Sequence, residues 1–290
     1  MLKFSFVILH YQTFTDTVEC VDSILRNIDY KQFAIVIVNN GSTNDSGHKL
    51  EERYRNEDRV NYIDSQKNLG FAQGNNLGFA FAKYELKADF ICLLNNDTVI
   101  KQHDFIKTIV EKYKATAFHI LGPDIVSTVD GEHQNPETET LTDLATTRAK
   151  QKHYKNLYLL NLLHIEMPVV KLKRKLLGRT KSIAEQRLSY KQEQTNVKLH
   201  GSCLIFSKRY IEKYEGLCPK TFMYGEESIL NFIAKRDNLR TVYCPLVQIF
   251  HNEDSSTNYQ FPKDSKKRRF YYKNLIASMD ILIELMRDAE

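Results

Sequence analysis

The sequence predicts an α/β fold with a mainly parallel sheet that carries helices on both faces. Three observations predict it. The first hundred residues alternate short apolar runs with segments of helical periodicity, as parallel strands joined by crossover helices do. Turns rich in Asn, Ser and Gly follow those runs, at the strand ends where such sheets bind ligands. The chain has 290 residues, of which 42% are hydrophobic, so it can bury a substantial core.

The predicted elements follow one another in a regular order up to residue 94. The predicted strands are FSFVIL (4–9), AIVIV (34–38), VNYI (60–63) and DFICLL (89–94). The predicted helices between them cover residues 16–28, 48–58 and 74–84. Asp16 and Glu19 have the spacing of a capping box, so the first helix is expected to begin at Asp16.

The remaining chain is less regular between about residues 105 and 200. A charged helix and the segment LGPDIV precede a polar stretch (127–156) that has no clear period. The regular pattern returns with the strand SCLIF (202–206), a helix near 226–236 and two further strands. A basic C-terminal helix follows. Its apolar residues recur at helical spacing, at Leu275, Met279, Leu282 and Met286.

Composition and charge narrow the class of protein. The net charge of +5 is mild, and no nucleic-acid-binding motif accompanies the basic residues, so no nucleic-acid partner is expected. The five cysteines are scattered and form no CxxC pair, which favours reduced thiols over disulfides or a zinc site. The N-terminal apolar run is too short for a signal peptide, and no stretch approaches the roughly 20 apolar residues of a membrane span. We therefore expect a cytoplasmic protein.

Five polar motifs lie at the ends of predicted strands or helices. They are NNGSTNDSG (39–47), NLGFAQGNNLG (68–78), LLNND (93–97), FMYGEESIL (222–230) and IFHNEDSS (249–256). The glycine-rich motif is neither the GxGxxG dinucleotide fingerprint nor a P-loop, because no GK[ST] follows. Asp97 ends a strand, where one carboxylate can hold Mg²⁺ or Mn²⁺ together with substrate phosphates and water. Taken alone, the first motif fits an ordinary polar loop equally well, and His251 fits a structural histidine better than a ligand.

In this order, and with VILHYQ (7–12) and FYYKN (270–274), the motifs resemble those of bacterial glycosyltransferase family 2 enzymes, especially the rhamnosyl- and galactosyltransferase-like branch. The resemblance covers nearly the whole chain apart from about 125–195. It implies the GT-A fold, a nucleotide-binding, mainly parallel sheet flanked by helices, here with a helical C-terminal extension. It also implies a metal-dependent, inverting transfer from a nucleotide-sugar, dTDP-rhamnose or a UDP-hexose, in the synthesis of cell-surface polysaccharide such as capsule.

The resemblance implies a nucleotide-sugar site made by residues of four motifs. Tyr11 would pack against the nucleobase, which would also meet the backbone of His10. Asn39 and Asn40 would contact the base or the ribose, although relatives usually have at least one Asp there. The implied nucleotide-sugar-binding residues are His10, Tyr11, Asn39, Asn40, Asn68, Gly70, Asn75, Asn95 and Asn96.

The resemblance also assigns the metal and the chemistry. Asp97 and His251 would hold Mn²⁺ or Mg²⁺, although amides replace the other acids of the LLNND motif. Glu227 matches the catalytic base, and Glu226 matches the neighbouring residue that holds the acceptor. A carboxylate that removes the acceptor proton during the attack contributes roughly 10²–10⁴-fold to the rate.

Two basic segments point to a membrane surface. The segment 157–181 joins leucine clusters to six basic residues, and four more basic residues (266–269) precede FYYKN. One interpretation is a helical subdomain with a solvated basic face. The other is an interfacial anchor whose cations meet anionic lipid. Members of the family commonly extend glycans on a lipid carrier, so the second interpretation places the protein at the inner face of the plasma membrane, with a glycan or lipid-linked oligosaccharide as acceptor.

The motifs divide the chain into four parts. These are a nucleotide-sugar-binding half (1–125), an irregular or helical amphipathic insertion (126–195), an acceptor-binding and catalytic half (196–262) and a basic C-terminal helix (263–290). A nucleotidyltransferase would be expected to show a glycine-rich, basic loop near the N-terminus, which HYQTFTDT (10–17) lacks. A non-catalytic carbohydrate-binding or partner subunit stays open as an alternative, because amides stand at positions where relatives carry acids.

Overall fold

The computed structural model describes residues 1–137, 141–170, 190–252 and 264–289. Its strands are β1 Phe4–His10, β2 Phe33–Asn40, β3 Val60–Ser65, β4 Phe90–Asn95, β5 Thr98–Val99, β6 Ile120–Ser127, β7 Gln194–Thr195, β8 Cys203–Ser207 and β9 Thr241–His251. Its helices are α1 Phe14–Asn27, α2 Ser46–Tyr54, α3 Gly70–Tyr84, α4 Phe105–Thr116, α5 Leu144–Leu162, α6 Lys208–Ile211, α7 Glu226–Arg236 and α8 Asp264–Arg287.

One sheet joins these strands in the order β3-β2-β1-β4-β8-β6-β9-β5, with β7 beside β9. The strands β3, β2, β1 and β4 pair in parallel, so the predicted α/β class and mainly parallel sheet are confirmed. Parallel pairing aligns the C-terminal ends of the strands. His10 of β1 is opposite Asn39 of β2, and Leu9 is opposite Asn95 of β4. The polar motifs that follow these strands therefore meet at one edge of the sheet.

Both faces of the parallel strands are buried, because alternate residues of each strand pack on different layers. Along β1, Phe6 and Ile8 belong to the core that includes α1 and α4, whereas Val7 belongs to the core beneath α3. Helix α3 lies very close to the sheet. A Cβ atom added at Gly78 would be 2.3 Å from Cγ1 of Val7, so only glycine permits this approach.

Three helix starts differ from the sequence predictions, since α2 begins at Ser46 rather than at residue 48, and α1 and α3 also begin earlier than predicted. Helix α1 begins at Phe14, whose ring packs against the core, and its N-cap is Thr13, without a side-chain capping hydrogen bond. Asp16 therefore lies inside the first turn, and the predicted capping box of Asp16 and Glu19 is wrong. Helix α3 begins at Gly70 rather than at residue 74, because the glycine-rich segment itself winds into the helix.

Helix α5 begins inside the polar stretch without a clear period and extends six residues beyond it, to Leu162. Its start is fixed by a capping box in which Asp143 accepts from the backbone N–H of Thr146 and the Thr146 hydroxyl meets the backbone of Asp143. Helix α8 packs along α5, and the predicted apolar stripe of α8 is buried. In the described ranges, no helix combines the length and the apolarity needed to cross a bilayer.

The later strands extend the sheet and bring distant motifs together. Strand β8 runs antiparallel between β4 and β6, and β9 lies parallel to β6. The two-residue strand β5 pairs antiparallel with the end of β9, so that Thr98 is opposite His251. This pairing places Asp97, which precedes β5, beside His251.

Candidate functional site

A cleft of about 290 Å³ opens at the C-terminal edge of the parallel strands. The predicted site residues that line it are Tyr11, Asn40, Asn68, Gly70, Asn95, Asn96, Asp97, Glu226, Glu227 and His251. The lining residues that the sequence analysis did not single out are Leu9, Phe71, His200, Gly201, Ser202, Met223 and Tyr224. His10, Asn39 and Asn75 are not part of the lining. The structure thus brings the predicted metal and catalytic residues into one cleft.

The segment from Asn68 to Asn75, which the resemblance implies to be the donor loop, is held in shape at its start by the side chain of Asn40. The Asn40 Nδ2 group donates to Oδ1 of Asn68 and to the carbonyl of Gly70, both at 3.1 Å. Its Oδ1 accepts from the N–H of Leu69 at 2.9 Å. An aspartate could accept but not donate here, which gives a physical reason for the amide at this position.

Gly70 allows the donor loop to pass against the segment before α7. Its φ is +80°, and a Cβ atom there would lie 2.2 Å from the carbonyl oxygen of Phe222. The next residue, Phe71, donates its N–H to that same oxygen at 2.6 Å. The donor loop is therefore joined by backbone contact to the turn that carries the two acids.

His10 and Asn75 turn their side chains away from the cleft. The buried imidazole of His10 lies 2.7 Å from Oγ1 of Thr17 and 2.8 Å from Oγ of Ser46, so it links the starts of α1 and α2. Burial lowers the pKa of His10 to about 4, which keeps the ring neutral. Asn75 donates to the carbonyl of Phe71 within α3. The implied backbone role of His10 and the donor-loop role of Asn75 stay predictions.

Asn39 shapes the turn after β2. Its Nδ2 group donates to Oδ1 of Asp64 at 2.6 Å, and its Oδ1 accepts from the N–H of Ser42 at 3.2 Å. An aspartate at position 39 would face the Asp64 carboxylate, and two like charges at that distance repel each other. The amide here therefore has a structural reason, and the predicted contact with base or ribose stays a prediction.

The LLNND motif is anchored on both sides. The N–H of Asn95 donates to the carbonyl of Ser202, the residue before β8, at 2.9 Å. The Nδ2 group of Asn96 donates to the hydroxyls of Thr13 and Thr17 at the start of α1, at 2.8 and 2.9 Å. These bonds fix the backbone from which Asp97 projects.

Asp97 and His251 form a buried pair, 7% and 6% exposed. Oδ1 of Asp97 lies 3.2 Å from Nε2 of His251, and within the described ranges neither atom has a hydrogen-bond partner. On the other side of the ring, Nδ1 lies 2.8 Å from Oε1 of Gln134. If that oxygen accepts from Nδ1–H, Nε2 is left with a lone pair that faces a carboxylate oxygen.

Two buried electron-pair donors that face each other suit a shared cation. Their separation of 3.2 Å is near the ~3.0 Å between neighbouring ligands of an octahedral ion with bonds of about 2.1 Å. A glutamine carbonyl behind the imidazole is the kind of partner that orients a metal-binding histidine. No group of three or more His, Cys, Asp or Glu suited to a metal occurs in the part of the chain that the structure describes. The residues present therefore fit an ion whose remaining ligands are phosphate and water.

Glu226 and Glu227 begin α7 and both line the cleft. Glu226 is 6% exposed, and its Oε1 has no hydrogen-bond partner among the residues described. Burial, with a further contribution from the charge of Glu227, raises the pKa of Glu226 to about 7. A carboxylate of this kind can exchange a proton near neutral pH.

Glu227 lies against the glycine that precedes β8. A Cβ atom at Gly201 would be 2.3 Å from Oε1 of Glu227, so a larger residue there would displace the carboxylate. Burial and the charge of Glu137 raise the pKa of Glu227, while Lys198 acts in the opposite direction. Glu137 and Lys198 pair with each other at 2.5 Å. The site thus holds two proton acceptors close to a candidate cation site.

Comparison with known proteins places the chain in a family. A family model described as "Glycosyl transferase family 2" matches residues 5–213. The chain belongs to this family. It is therefore a glycosyltransferase, an enzyme whose donor class is a nucleotide-sugar, as the motifs implied.

Individual relatives agree with this membership. The glycosyltransferase is 25% identical over 255 residues to the low-salt glycan biosynthesis hexosyltransferase Agl10 of Haloferax volcanii, a match over 85% of this chain and 69% of the relative. It is 31% identical over 108 residues to glycosyltransferase GlyG of Streptococcus pneumoniae, a match over 37% of this chain and 34% of GlyG.

Solved structures show the same fold. Residues 1–349 of TarS from S. aureus match 96% of this chain and 70% of that one, with a TM-score of 0.54 and 13% identity. At this identity the likeness concerns the fold alone, and it confirms the GT-A fold that the motifs implied.

The glycosyltransferase has cleft residues that the sequence did not reveal, and three of them, His200, Gly201 and Ser202, directly precede β8. The Nδ1 atom of His200 lies 3.0 Å from the hydroxyl of Ser202 and 3.2 Å from its backbone nitrogen. The ring centre of His200 lies 5.8 Å from that of His251. The available signal was the His-Gly pair directly before the predicted strand 202–206.

Proposed function

We propose that this glycosyltransferase moves a sugar, with inversion at the anomeric carbon, from a nucleoside-diphosphate donor to a hydroxyl of a glycan. One observation carries the proposal. A single cleft holds the Asp97–His251 pair, which fits a cation for the diphosphate, and the carboxylates of Glu226 and Glu227, whose pKa values are raised. A cation held by Asp97 and His251 would stabilise the departing diphosphate, and a carboxylate of Glu226 or Glu227 could remove the proton of the acceptor hydroxyl.

The nucleoside end of the donor is assigned to Tyr11 and to the donor loop. Tyr11 lines the cleft beside Asn40 and Asn68, so an aromatic face and amide groups are available to a base and a ribose. One TarS structure was solved in complex with UDP, and Agl10 is named a hexosyltransferase. These likenesses support a UDP-hexose donor, whereas a dTDP-rhamnose donor is proposed from the motif resemblance alone.

The transfer is proposed as one displacement. Glu227 takes the proton of the acceptor hydroxyl while that oxygen attacks the anomeric carbon. As the new carbon–oxygen bond forms, the bond between the anomeric carbon and the diphosphate oxygen breaks, and the nucleoside diphosphate leaves with the bonding electrons. Glu226 holds the acceptor through a hydrogen bond. Because its pKa is raised, Glu227 is a stronger base than an exposed glutamate.

The cofactor is proposed to be Mn²⁺ or Mg²⁺, held by Oδ1 of Asp97 and Nε2 of His251. When bound, such an ion supplies Lewis-acid stabilisation of the charge that grows on the diphosphate. Two further contacts hold its ligands in place. The backbone carbonyl of Asp97 accepts from the N–H of Asn252 at 2.8 Å, and Gln134 holds the ring of His251.

The acceptor is proposed to be lipid-linked, with the enzyme lying on an anionic membrane. Exposed apolar residues cluster at the end of α5 and just beyond it, at Leu159, Leu162, Leu163, Ile165, Met167 and Val169. The basic start of α8 adjoins this cluster, because Arg268 bonds Glu166 and Arg269 bonds Asn161. An apolar cluster rimmed by cations is typical of an interfacial membrane contact.

The predicted basic segment of the anchor lies outside the described residues. Its cations are Lys171, Lys173, Arg174, Lys175, Arg179 and Lys181. Their proposed contact with lipid rests on sequence alone. The division of the chain into four parts likewise stays a proposal.

The first test is calorimetric binding of UDP, dTDP and GDP, each with and without Mn²⁺, to the protein and to Asp97→Ala. We expect one nucleotide to bind selectively and only with Mn²⁺, and we expect the variant to lose this binding. Binding that does not depend on Mn²⁺ would remove the cation from the proposal. If a folded protein bound none of the three, the donor proposal would fail.

A further inference from the structure

Four aromatic residues cluster behind the turn before α7, and one of them, Tyr224, lines the cleft. This cluster, the aromatic wall, consists of Phe222, Tyr224, Phe270 and Tyr271. The ring centre of Tyr224 lies 4.8 Å from that of Tyr271 and 6.3 Å from that of Phe270. The ring centre of Phe222 lies 6.4 Å from that of Phe270. The transfer mechanism described above assigns no role to these rings.

The aromatic wall joins the donor loop to the two acids. At one end, the carbonyl of Phe222 accepts from the N–H of Phe71 in the donor loop. Tyr224 lines the cleft and lies two residues before the first acid. At the other end Tyr271 is close to Glu227. Burial is the main reason that the pKa of Tyr271 is raised, and the charge of Glu227 makes a smaller contribution.

The backbone of the wall is held in an unfavourable conformation. Tyr224 has a φ of +69° and Gly225 a φ of +90°. The left-handed region is costly for a tyrosine and persists where the surroundings impose it, most often at functional sites. Here the surroundings are α8. A Cβ atom at Gly225 would lie 3.0 Å from Cβ of Ser278, so the turn is clamped against that helix.

A sugar ring suits this wall. A pyranose has a rim of hydroxyl groups and faces made of C–H groups, which stack on aromatic rings as other apolar surfaces do. Glu226 and Glu227 beside the wall can accept hydrogen bonds from the hydroxyl rim. Phe222 keeps 39% of its surface exposed and is not part of the cleft lining, so the wall also offers an aromatic surface to solvent outside the cleft.

We propose that the aromatic wall is the acceptor subsite, in which Tyr224 stacks on the sugar that carries the attacking hydroxyl and Phe222 stacks on the next sugar of the glycan. The inference rests on the proposed function and deepens it. It assigns the enzyme an acceptor of at least two sugar units. A monosaccharide would contact only Tyr224 and would bind more weakly than a disaccharide.

The chain contains no tryptophan, so a single introduced tryptophan reports on the wall by its fluorescence. The variants are Tyr224→Trp and Phe222→Trp, which keep a stacking surface, and Tyr224→Ala and Phe222→Ala, which remove it. Each is loaded with the nucleotide identified by calorimetry and with Mn²⁺. The probes are methyl glycosides of glucose, galactose, N-acetylglucosamine and rhamnose, and the disaccharides cellobiose, lactose and chitobiose.

We expect at least one disaccharide to change the fluorescence of both tryptophan variants and to bind about ten-fold more tightly than its methyl glycoside. Phe222→Ala should remove this gain and leave monosaccharide affinity unchanged, whereas Tyr224→Ala should weaken both by about ten-fold. Binding to the alanine variants is measured by NMR. Tyr84→Ala, an exposed ring at the end of α3, serves as the control.

Nucleotide affinity distinguishes a failure of the acceptor-subsite inference from a failure of the proposed function. Suppose that nucleotide binds normally to all variants, and that Tyr224→Ala and Phe222→Ala both bind the sugars as tightly as the unchanged protein does. The wall is then not the acceptor subsite, and the proposed donor function stands. If no sugar probe binds to the nucleotide-loaded protein, the inference also fails. If the fluorescence changes with prenyl phosphate in vesicles but with none of the sugars, the wall binds a lipid chain. That outcome would overturn the inference. If the unchanged protein binds no nucleotide, the proposed function itself is contradicted.

Discussion

Nε2 of His251 lies 3.2 Å from Oδ1 of Asp97, at the point where β5 meets the end of β9. Neither atom forms a hydrogen bond within the described part of the chain. Burying two such atoms without partners is costly, and a cation between them removes the cost. The orientation of the imidazole depends on Gln134, which meets the opposite nitrogen of the ring.

The first prediction concerns that glutamine. Gln134→Leu removes the acceptor that orients His251, so we expect Mn²⁺-dependent nucleotide affinity to fall about 10–100-fold. Calorimetry with and without Mn²⁺ measures the effect. Gln102→Leu, which removes a hydrogen-bonded glutamine outside the cleft lining, is the control. Equal Mn²⁺ dependence in both variants would contradict a metal role for His251.

The second prediction concerns the base. Glu227→Gln keeps the shape that fits against Gly201 but cannot accept the proton, so transfer should fall by roughly 10²–10⁴-fold while nucleotide binding is retained. The measurement is sugar transfer in a single turnover, beside calorimetric nucleotide binding. Glu226→Gln is the comparison, because the same charge is lost one residue away. Near-normal turnover in Glu227→Gln would move the base to Glu226.

The third prediction is a pH dependence of stability. Burial and the charge of Glu227 raise the pKa of Glu226 from 4.5 to about 7, so the folded protein loses stability as the pH rises from about 4.5 to about 7. Glu226→Gln removes this loss. We expect the variant to exceed the unchanged protein in stability by up to about 3 kcal/mol at pH 8, with the difference shrinking towards pH 5.

Thermal unfolding of metal-free protein at pH 5 and pH 8 measures this difference. The exposed residue Glu51 provides the matched control, Glu51→Gln, which should show no such trend. A stability difference for Glu226→Gln that is the same at both pH values would show that the burial of this carboxylate carries no charge penalty.

The fourth prediction concerns the donor loop. Asn40→Asp replaces a donor by a carboxylate that faces Oδ1 of Asn68 and the carbonyl of Gly70, so three acceptors meet. We expect a loss of about 1–3 kcal/mol in the free energy of unfolding, and weaker nucleotide binding. Denaturant unfolding and calorimetry measure the two effects. Asn56→Asp, an exposed substitution of the same type, should change neither.

The sequence predicted the parallel half of the fold because apolar runs of strand length are buried on both faces of the sheet. It placed helix starts less well. The charge pattern of Asp16 and Glu19 resembles a cap, yet the packing of Phe14 against the core extends α1 beyond it. Periodicity also gave no sign of α5, because the residues that it buries are polar: Thr147, Gln151 and Asn161.

Within the site, residue types were easier to predict than side-chain directions. The side chain of Asn39 bonds Asp64 instead of lining the cleft, and that of His10, whose implied role is a backbone contact, bonds Thr17. His200 was missed because its one local signal, a His-Gly pair before a strand, is not specific. Its place in the cleft follows from the antiparallel pairing of β8 with β4, a contact between distant segments.

The fifth prediction concerns the membrane. Replacing Leu159, Leu163 and Ile165 with Ser should release the protein from vesicles that contain anionic lipid, because the apolar contact is lost. Co-sedimentation measures the bound fraction. The control replaces Val129 and Leu246, exposed apolar residues on other elements, with Ser. If both sets bind vesicles equally, the proposed surface is not the membrane contact.

A consequence for recombining related enzymes follows from the hydrogen bond between Phe71 N–H and the carbonyl of Phe222. The segment that the family model matches ends at residue 213, before Phe222. A chimaera joined at that boundary would pair a donor loop from one parent with the supporting backbone of another. The backbones of Gly70 and Phe222 are so close that even a Cβ atom at Gly70 would clash, so a small shift between the two segments would break this contact. Because Asn40 holds the donor loop, residues 40 to 227 should be exchanged as one block, so that donor and acceptor preferences are transferred together.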